Sequence, residues 1–322
     1  MRRPGSASSG RTPPAPSGSR RRTVRTKAIL INAPAALREL LGKDGLVWGP
    51  GVYDGISARI AAQVGFPILY MTGAGTAASR IGQPDLGLTT ATEMVENARN
   101  LQSVIDVPLL ADADHGFGGV TNVVRTVHMF EQAGIAGIHI EDQSFPKRCG
   151  HLRDKSVVDR DEFKRRIRAA ATERWNRDFV IVSRTDARAP LGFEEAWARI
   201  EDSFDAGADA GFFEAPETMA EVQEVAKRAQ GRPMLLNMAT NGRTPSLTVS
   251  EIEALGFKLA IWPAACMIPA ARALWASLRT LRLEGTDRSV FSEAPAEFFE
   301  WMGLNEVLDQ SSRYEPVESA PV

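Results

Sequence analysis

The chain has 322 residues, 43% of them hydrophobic and 24% charged, with a formal net charge of −2. No apolar run approaches the roughly 18 residues that a membrane span requires, and two cysteines in unlike surroundings make no disulfide framework. Residues 1–27 carry eight cations and no acid, which leaves about −10 on the remainder and argues against a nucleic-acid partner.

That basic tail is rich in Ser, Pro and Gly and has no apolar core, which excludes a secretory signal. It reads either as a disordered segment of a cytoplasmic protein or as a mitochondrial-type transit segment. From about residue 45 short apolar runs alternate with amphipathic stretches. Strands are predicted at 46–52, 68–72, 108–112, 137–141, 179–184, 211–214, 234–238 and 259–262. Helices are predicted between them at 55–64, 91–105, 120–133, 160–175, 194–206 and 219–229, with Ala133-Gly134 and Ala206-Gly207 as stops. Eight such units predict an α/β fold, a (β/α)8 TIM barrel over 28–290, followed by a helical extension and tail at 291–322. An open doubly wound sheet is disfavoured, because no Gly-x-Gly-x-x-Gly turn follows the first strand.

In such a barrel the reactive groups sit at the C-terminal ends of the strands. Those ends read Asp54, Thr72-Gly73, Asp112 with Asp114, Glu141-Asp142, Arg184 with Asp186, Glu214 and Asn237. Asp85, in the loop before the third strand, could converge with Asp112, Asp114 and Glu141. Carboxylates that close repel unless a hard cation lies among them, which points to Mg²⁺ or Mn²⁺ held by one or two of them and by water. The plainer alternative is that these acids cap helices and pair with lysines. Arg184 could clamp a substrate carboxylate bidentately. Asn237 and Thr72 could add hydrogen bonds, and the Gly73 and Ala74 N–H groups could hold an oxyanion.

Lys147-Arg148-Cys149-Gly150-His151 sets one thiol among cations, which favours the thiolate and marks Cys149 as an acid/base or nucleophile. Lys147 and His151 accompany it, His151 as a group that orients substrate or thiol or as a bystander. Cys266, in an uncharged stretch, reads as a small buried hydrophobe. His128 falls on a helix and reads as structural, His139 could face either layer of its strand, and His115 could reach the metal. The sum is a small dicarboxylate held by a hard cation and an arginine, with a thiol moving a proton beside a C–C bond that is made or broken.

Tyr70-Met71-Thr72-Gly73-Ala74-Gly75-Thr76, Pro84-Asp85-Leu86-Gly87, Asp112-Ala113-Asp114-His115-Gly116-Phe117-Gly118-Gly119, His139-Ile140-Glu141-Asp142-Gln143, Lys147 to His151, and Ser183-Arg184-Thr185-Asp186 together resemble the isocitrate lyase/phosphoenolpyruvate mutase superfamily. The resemblance spans about residues 45–285. It implies a Mg²⁺-dependent barrel, a gating loop carrying Cys149, and a C-terminal helix exchanged between subunits of a homodimer or homotetramer. It implies further that Asp85, Asp112, Asp114 and Glu141 form the metal region, that Cys149 is the acid/base, and that Tyr70, Thr72, Gly73, Ala74, Arg184, Glu214 and Asn237 bind substrate. Cysteine in the loop favours the lyase and hydrolase branches over the phosphonate mutases. Within those branches the details resemble fungal oxaloacetate acetylhydrolases and the related 2-methylisocitrate and dimethylmalate lyases, and the run from Tyr70 to Arg80, Leu235-Leu236-Asn237-Met238 and Thr244-Pro245-Ser246 look most like the hydrolase group. Ser246 could hydrogen-bond a hydrated carbonyl, or simply start the next helix. Thr240 and His115 depart from the family pattern, which implies a modified substrate or, as an alternative, a barrel retained as a binding or assembly subunit.

Overall fold

The structure, a computed structural model, describes residues 31–147, 155–288 and 294–314. Its strands are β1 (Val47–Val52), β2 (Leu69–Met71), β3 (Leu109–Asp112), β4 (Gly137–Glu141), β5 (Val180–Thr185), β6 (Ala210–Phe213), β7 (Met234–Asn237) and β8 (Leu259–Trp262). Each pairs in parallel with the next, and β8 returns to β1 through Val47–Leu259 and Trp48–Ala260, so the sheet closes into the predicted barrel. The helices are α1 (Ala33–Gly42), α2 (Gly55–Val64), α3 (Gly73–Ile81), α4 (Ala91–Gln102), α5 (Val120–Gln132), α6 (Arg160–Glu173), α7 (Arg188–Leu191), α8 (Phe193–Asp205), α9 (Met219–Ala229), α10 (Val249–Ala254), α11 (Met267–Glu284), α12 (Pro295–Trp301) and α13 (Leu304–Ser312). Gly134 and Gly207, at φ 77° and 102°, supply the left-handed stops after α5 and α8. None of the described helices is long and apolar enough to cross a membrane.

Two helices absent from the prediction matter for the site. The first, α1, starts at Asn32, whose side chain accepts from the Ala35 N–H at 3.3 Å, with proline in its first turn. Its Ala33 and Leu37 are fully buried with the inward residues Val47, Ile68, Val180 and Leu259, so the helix plugs one end of the barrel. Burial of a leucine such as Leu37 contributes about 1.5–3 kcal/mol. The second, α3, begins directly at the end of β2, and its glycine-rich start hid it from a periodicity reading.

The period-2 alternation of a strand decides what faces the interior. Leu110, Val180, Val182, Phe212, Leu235 and Ile261 fill the inside, whereas Leu109, Ile138, Ile140 and Ile181 face the helices. One step of two further along each strand, the inward position becomes polar: Asp112 after Leu110, Arg184 after Val182, Glu214 after Phe212 and Asn237 after Leu235. An apolar floor under a polar upper layer is therefore built into the strands themselves.

Candidate active site

The polar layer sits on cross-strand neighbours. Asp112 pairs in register with His139, Glu141 with Arg184, and Arg184 with Phe212. His139 faces inward and is fully buried, with Nε2 2.8 Å from the Tyr70 hydroxyl and 3.4 Å from Asp112 Oδ1. Burial first, then Arg184 and Lys147, push its pKa down to about 4, against the opposing pull of Asp112 and Glu214. The ring is thus neutral at pH 7, and its contact with Asp112 is polar contact and not an ion pair. Tyr70 is buried at 3% exposure, and burial followed by Asp112 pushes its hydroxyl up, so it stays a neutral hydrogen-bonding group.

Asp112 accepts from the Asp114 N–H at 2.9 Å. Burial opposes its ionisation, yet His139, Lys147 and Arg184 outweigh it and bring the pKa to about 2. With His139 neutral, the two fixed cations and the Asp114 N–H carry that effect at pH 7. Lys147, 2% exposed, bridges Asp85 Oδ1 at 2.6 Å and Asp114 Oδ1 at 2.5 Å. Burial works against its charge, but Asp114, Asp112 and Asp85 raise its pKa well above the usual value. Burial pushes Asp114 up toward about 7; Lys147 pulls it down, while Asp112 and Asp85 push it further up. Burial also raises Glu141 well above the ordinary carboxylate range, against Arg184 and Lys147.

Opposite this acidic half lies Arg184, 7% exposed, whose guanidinium stacks 5.0 Å from the Phe212 ring centre. Its Nε donates to Asp186 Oδ2 at 2.9 Å and its Nη2 to Asp186 Oδ1 at 3.2 Å. Glu141 Oε2 and Glu214 Oε1 lie 3.4 and 3.9 Å away. The side edge of the fork is therefore taken by Asp186, and the Nη1/Nη2 end is what remains for a ligand. Asn237 Nδ2 donates to Glu214 Oε2 at 3.2 Å, joining the ends of β6 and β7.

Thr72 caps α3, so Gly73 and Ala74 are its first two residues, whose N–H groups have no acceptor within the helix. A Cβ on Gly73 would lie 2.4 Å from Asp112 Oδ2, so only glycine lets this backbone approach the carboxylate. The oxyanion reading of these two N–H groups gains a helix terminus that the sequence did not reveal.

Cys149 and His151 lie outside the described residues. Ser246 is exposed, and α10 is capped by Thr248 in a box with Glu251, so Ser246 does not start that helix. In the same segment Thr244 is 6% exposed, with a hydroxyl that has no hydrogen-bond partner among the described residues. His115 is 6% exposed beside Phe117 and Phe145, with ring centres 6.1 and 5.8 Å away. His128 stacks on Trp175 at 4.0 Å and bonds the Glu173 carbonyl, a structural role as expected. Cys266 is only half-buried, with its thiol pushed up by burial and then by Asp54. The sequence placed His139 and Asp186 at strand positions and Thr244 in a motif without giving any of them a role, and nothing in it pointed to Lys155; the alternation of β4 and β5 was the signal for His139 and Asp186.

The donor set suits a hard cation. Among the described residues no three His, Cys, Asp or Glu side chains form a protein cage. One or two carboxylates with the remaining positions left to water is the coordination that Mg²⁺ favours, and Glu141 Oε1 is buried without a hydrogen-bond partner among the described residues.

The depressed histidine yields a stability test. Its folded pKa of about 4 lies below the unfolded value of 6.5, so the stability tied to neutral His139 is complete above pH 6.5 and is lost as pH falls toward 4. The difference in unfolding free energy between the natural protein and His139→Gln is expected to shrink by about 2 kcal/mol between pH 7 and pH 5. Urea melts at the two pH values measure it, and a constant difference would show that the imidazole is not depressed.

Residues 37–282 match the family described as phosphoenolpyruvate phosphomutase. The chain is 40% identical over 286 residues to the 2,3-dimethylmalate lyase of Eubacterium barkeri, covering 88% of this chain and 99% of that protein. Among solved structures it is similar to oxaloacetate acetylhydrolase in complex with the inhibitor 3,3-difluorooxalacetate, with a TM-score of 0.84, 41% identity, and coverage of 89% and 99% of the two chains. It is also similar to phosphonopyruvate hydrolase in complex with oxalate and Mg²⁺, with a TM-score of 0.79, 30% identity, and coverage of 88% and 99%.

Proposed function

The chain belongs to the phosphoenolpyruvate mutase/isocitrate lyase superfamily, and we propose that it cleaves a C–C bond in a small 2-oxo or 2-hydroxy dicarboxylate, as a lyase or as a C–C hydrolase. The observation that carries this reading is Arg184, a buried cation at the end of β5, beside Glu141 at the end of the neighbouring β4 and in the same polar layer as Asp112 of β3. A dicarboxylate needs opposite charge at both ends. Arg184 and Asn237 suit one carboxylate, and the first N–H groups of α3 suit the oxo-acid end.

Asp112, with Asp85, Asp114 and Glu141 around it, would hold Mg²⁺ or Mn²⁺, which supplies positive charge to the oxygens of the oxo-acid end. In a 2-hydroxy substrate the hydroxyl proton passes to a carboxylate of the cluster, the C–C bond breaks, and its electron pair becomes the enolate of the departing acid. Cys149 then gives that carbon its proton. In a 2-oxo substrate the hydrated carbonyl supplies the hydroxyl, and the other product is a carboxylate. Lys147 neutralises Asp85 and Asp114 next to Cys149 in the chain. The helix α11 has no buried residue although it carries Leu274, Trp275, Leu278 and Leu281. That apolar exposure supports exchange of this helix between subunits of a homodimer or homotetramer.

Incubation with oxaloacetate, 2-methylisocitrate and 2,3-dimethylmalate is expected to give turnover of at least one with Mg²⁺. A chelator is expected to reduce it by roughly 10²-fold or more. Turnover indifferent to chelation would refute the metal assignment. Binding of dicarboxylates in a calorimeter without any product would instead indicate a barrel kept for binding.

A further inference from the structure

Arg184 is held from behind by a buried relay that the site chemistry above does not use. Asp186, fully buried, gives Oδ2 to Arg184 Nε and shares Oδ1 between Arg184 Nη2 at 3.2 Å and Lys155 Nζ at 2.7 Å. Lys155 is itself 8% exposed. Its segment is tied to the end of β4: Gln143 bridges Val157 in antiparallel fashion, the Ser144 N–H donates to the Ser156 carbonyl at 2.9 Å, and the Val158 N–H to the Asp142 carbonyl at 2.9 Å.

The backbone of Asp186 is pinned as well. Its N–H donates to Asp142 Oδ1 at 2.8 Å, and the Thr185 hydroxyl donates to Asp142 Oδ2 at 2.6 Å. Arg199 from α8 reaches the same Oδ2 at 3.1 Å and the Val158 carbonyl at 2.8 Å. The Asp186 carboxylate therefore has neither backbone nor side-chain freedom, and it confines the arginine to one orientation.

The charges explain why a second cation is there. A carboxylate bound to Arg184 alone would cancel the charge that a substrate carboxylate needs. Lys155 takes up part of the Asp186 charge, so more of the Arg184 charge is left for a ligand at the Nη1/Nη2 end, where Glu214 Oε1 already lies 3.9 Å from Nη2. We infer that Asp186 and Lys155 are positioning residues for dicarboxylate binding, setting the orientation and the effective charge of Arg184. This inference rests on the proposed assignment of Arg184 to a substrate carboxylate.

The test uses the full chain with Mg²⁺ and two readouts, steady-state kinetics on whichever dicarboxylate the natural protein turns over and calorimetric affinity for oxalate and for malonate. Lys155→Gln keeps a donor to Asp186 and removes the charge. It is expected to raise KM and both dissociation constants about tenfold, with a smaller change in kcat, and Lys155→Arg is expected to restore them. The double variant Lys155→Gln/Asp186→Asn replaces the buried pair by neutral groups of similar shape, a change that folds tolerate. It leaves the net charge of the trio unchanged but loses the charged grip on Arg184 Nε and Nη2, so it is expected to weaken binding less than the single variant, about threefold, and the idea remains testable if the single variant does not fold. Natural KM and affinity in a folded variant of either kind, or a loss confined to melting temperature, would overturn the inference. If the natural protein neither turns over nor binds any dicarboxylate, the parent assignment of Arg184 fails instead.

Discussion

Cys149→Ser is expected to lower kcat for C–C cleavage by about 10²–10⁴-fold, the span contributed by a well-placed general acid. A thiol, with an ordinary pKa near 8.5, is an acid strong enough to give a proton to an enolate near neutral pH. A serine hydroxyl of nearly the same size is a far weaker acid, so proton delivery to an enolate should fail while shape is kept. Affinity for oxalate and the melting temperature should stay near the natural values. The described residues on either side, Lys147 and Lys155, are anchored to Asp85, Asp114 and Asp186. Full turnover in this variant would remove Cys149 from the chemistry.

For Arg184→Lys the expected loss is about 10²–10³-fold in kcat/KM, because a buried, hydrogen-bonded charge contact is worth about 2–5 kcal/mol when one partner is cut back. Lysine keeps the charge among Glu141, Asp186 and Glu214 but not the planar fork that serves Asp186 and a substrate together. Arg184→Ala should in addition destabilise the fold by about 3–5 kcal/mol, since Glu141 and Glu214 lose a neighbouring cation and Asp186 one of its two. Steady-state kinetics on the lysine variant and denaturant melts on both separate binding from folding. Near-natural kcat/KM in Arg184→Lys would mean that this residue does not meet the substrate.

Much of the site could be read before the fold was known, for a definite reason. The strand ends lie where short apolar runs stop, so Asp112, Glu141, Arg184, Glu214 and Asn237 stood out as polar residues closing those runs. Both ends of β4 and of β8 agree with the predicted spans, and the other strands differ by a single residue at one or both ends. Helices without a clean amphipathic period were missed. The small residues of α3 bury Gly73, Gly75, Thr76 and Ala77, a face with little hydrophobic contrast, and α11 buries nothing at all in the single chain.

The sequence by itself determined the barrel, the family and the identities of the acidic and basic groups at its mouth, because period, spacing and residue type are local properties of the chain. Which of those groups touch was decided only by the tertiary structure. Distances between ends of different strands depend on barrel closure and on register, as in the pairing of Glu141 with Arg184. So it was with Lys155, which no local pattern connects to Asp186, 31 residues later, until β4 and β5 lie side by side. So it was also with His139, whose inward turn and neutral ring follow from its burial beside Tyr70. Electrostatics falls off with separation in space, and the chain encodes only separation in sequence.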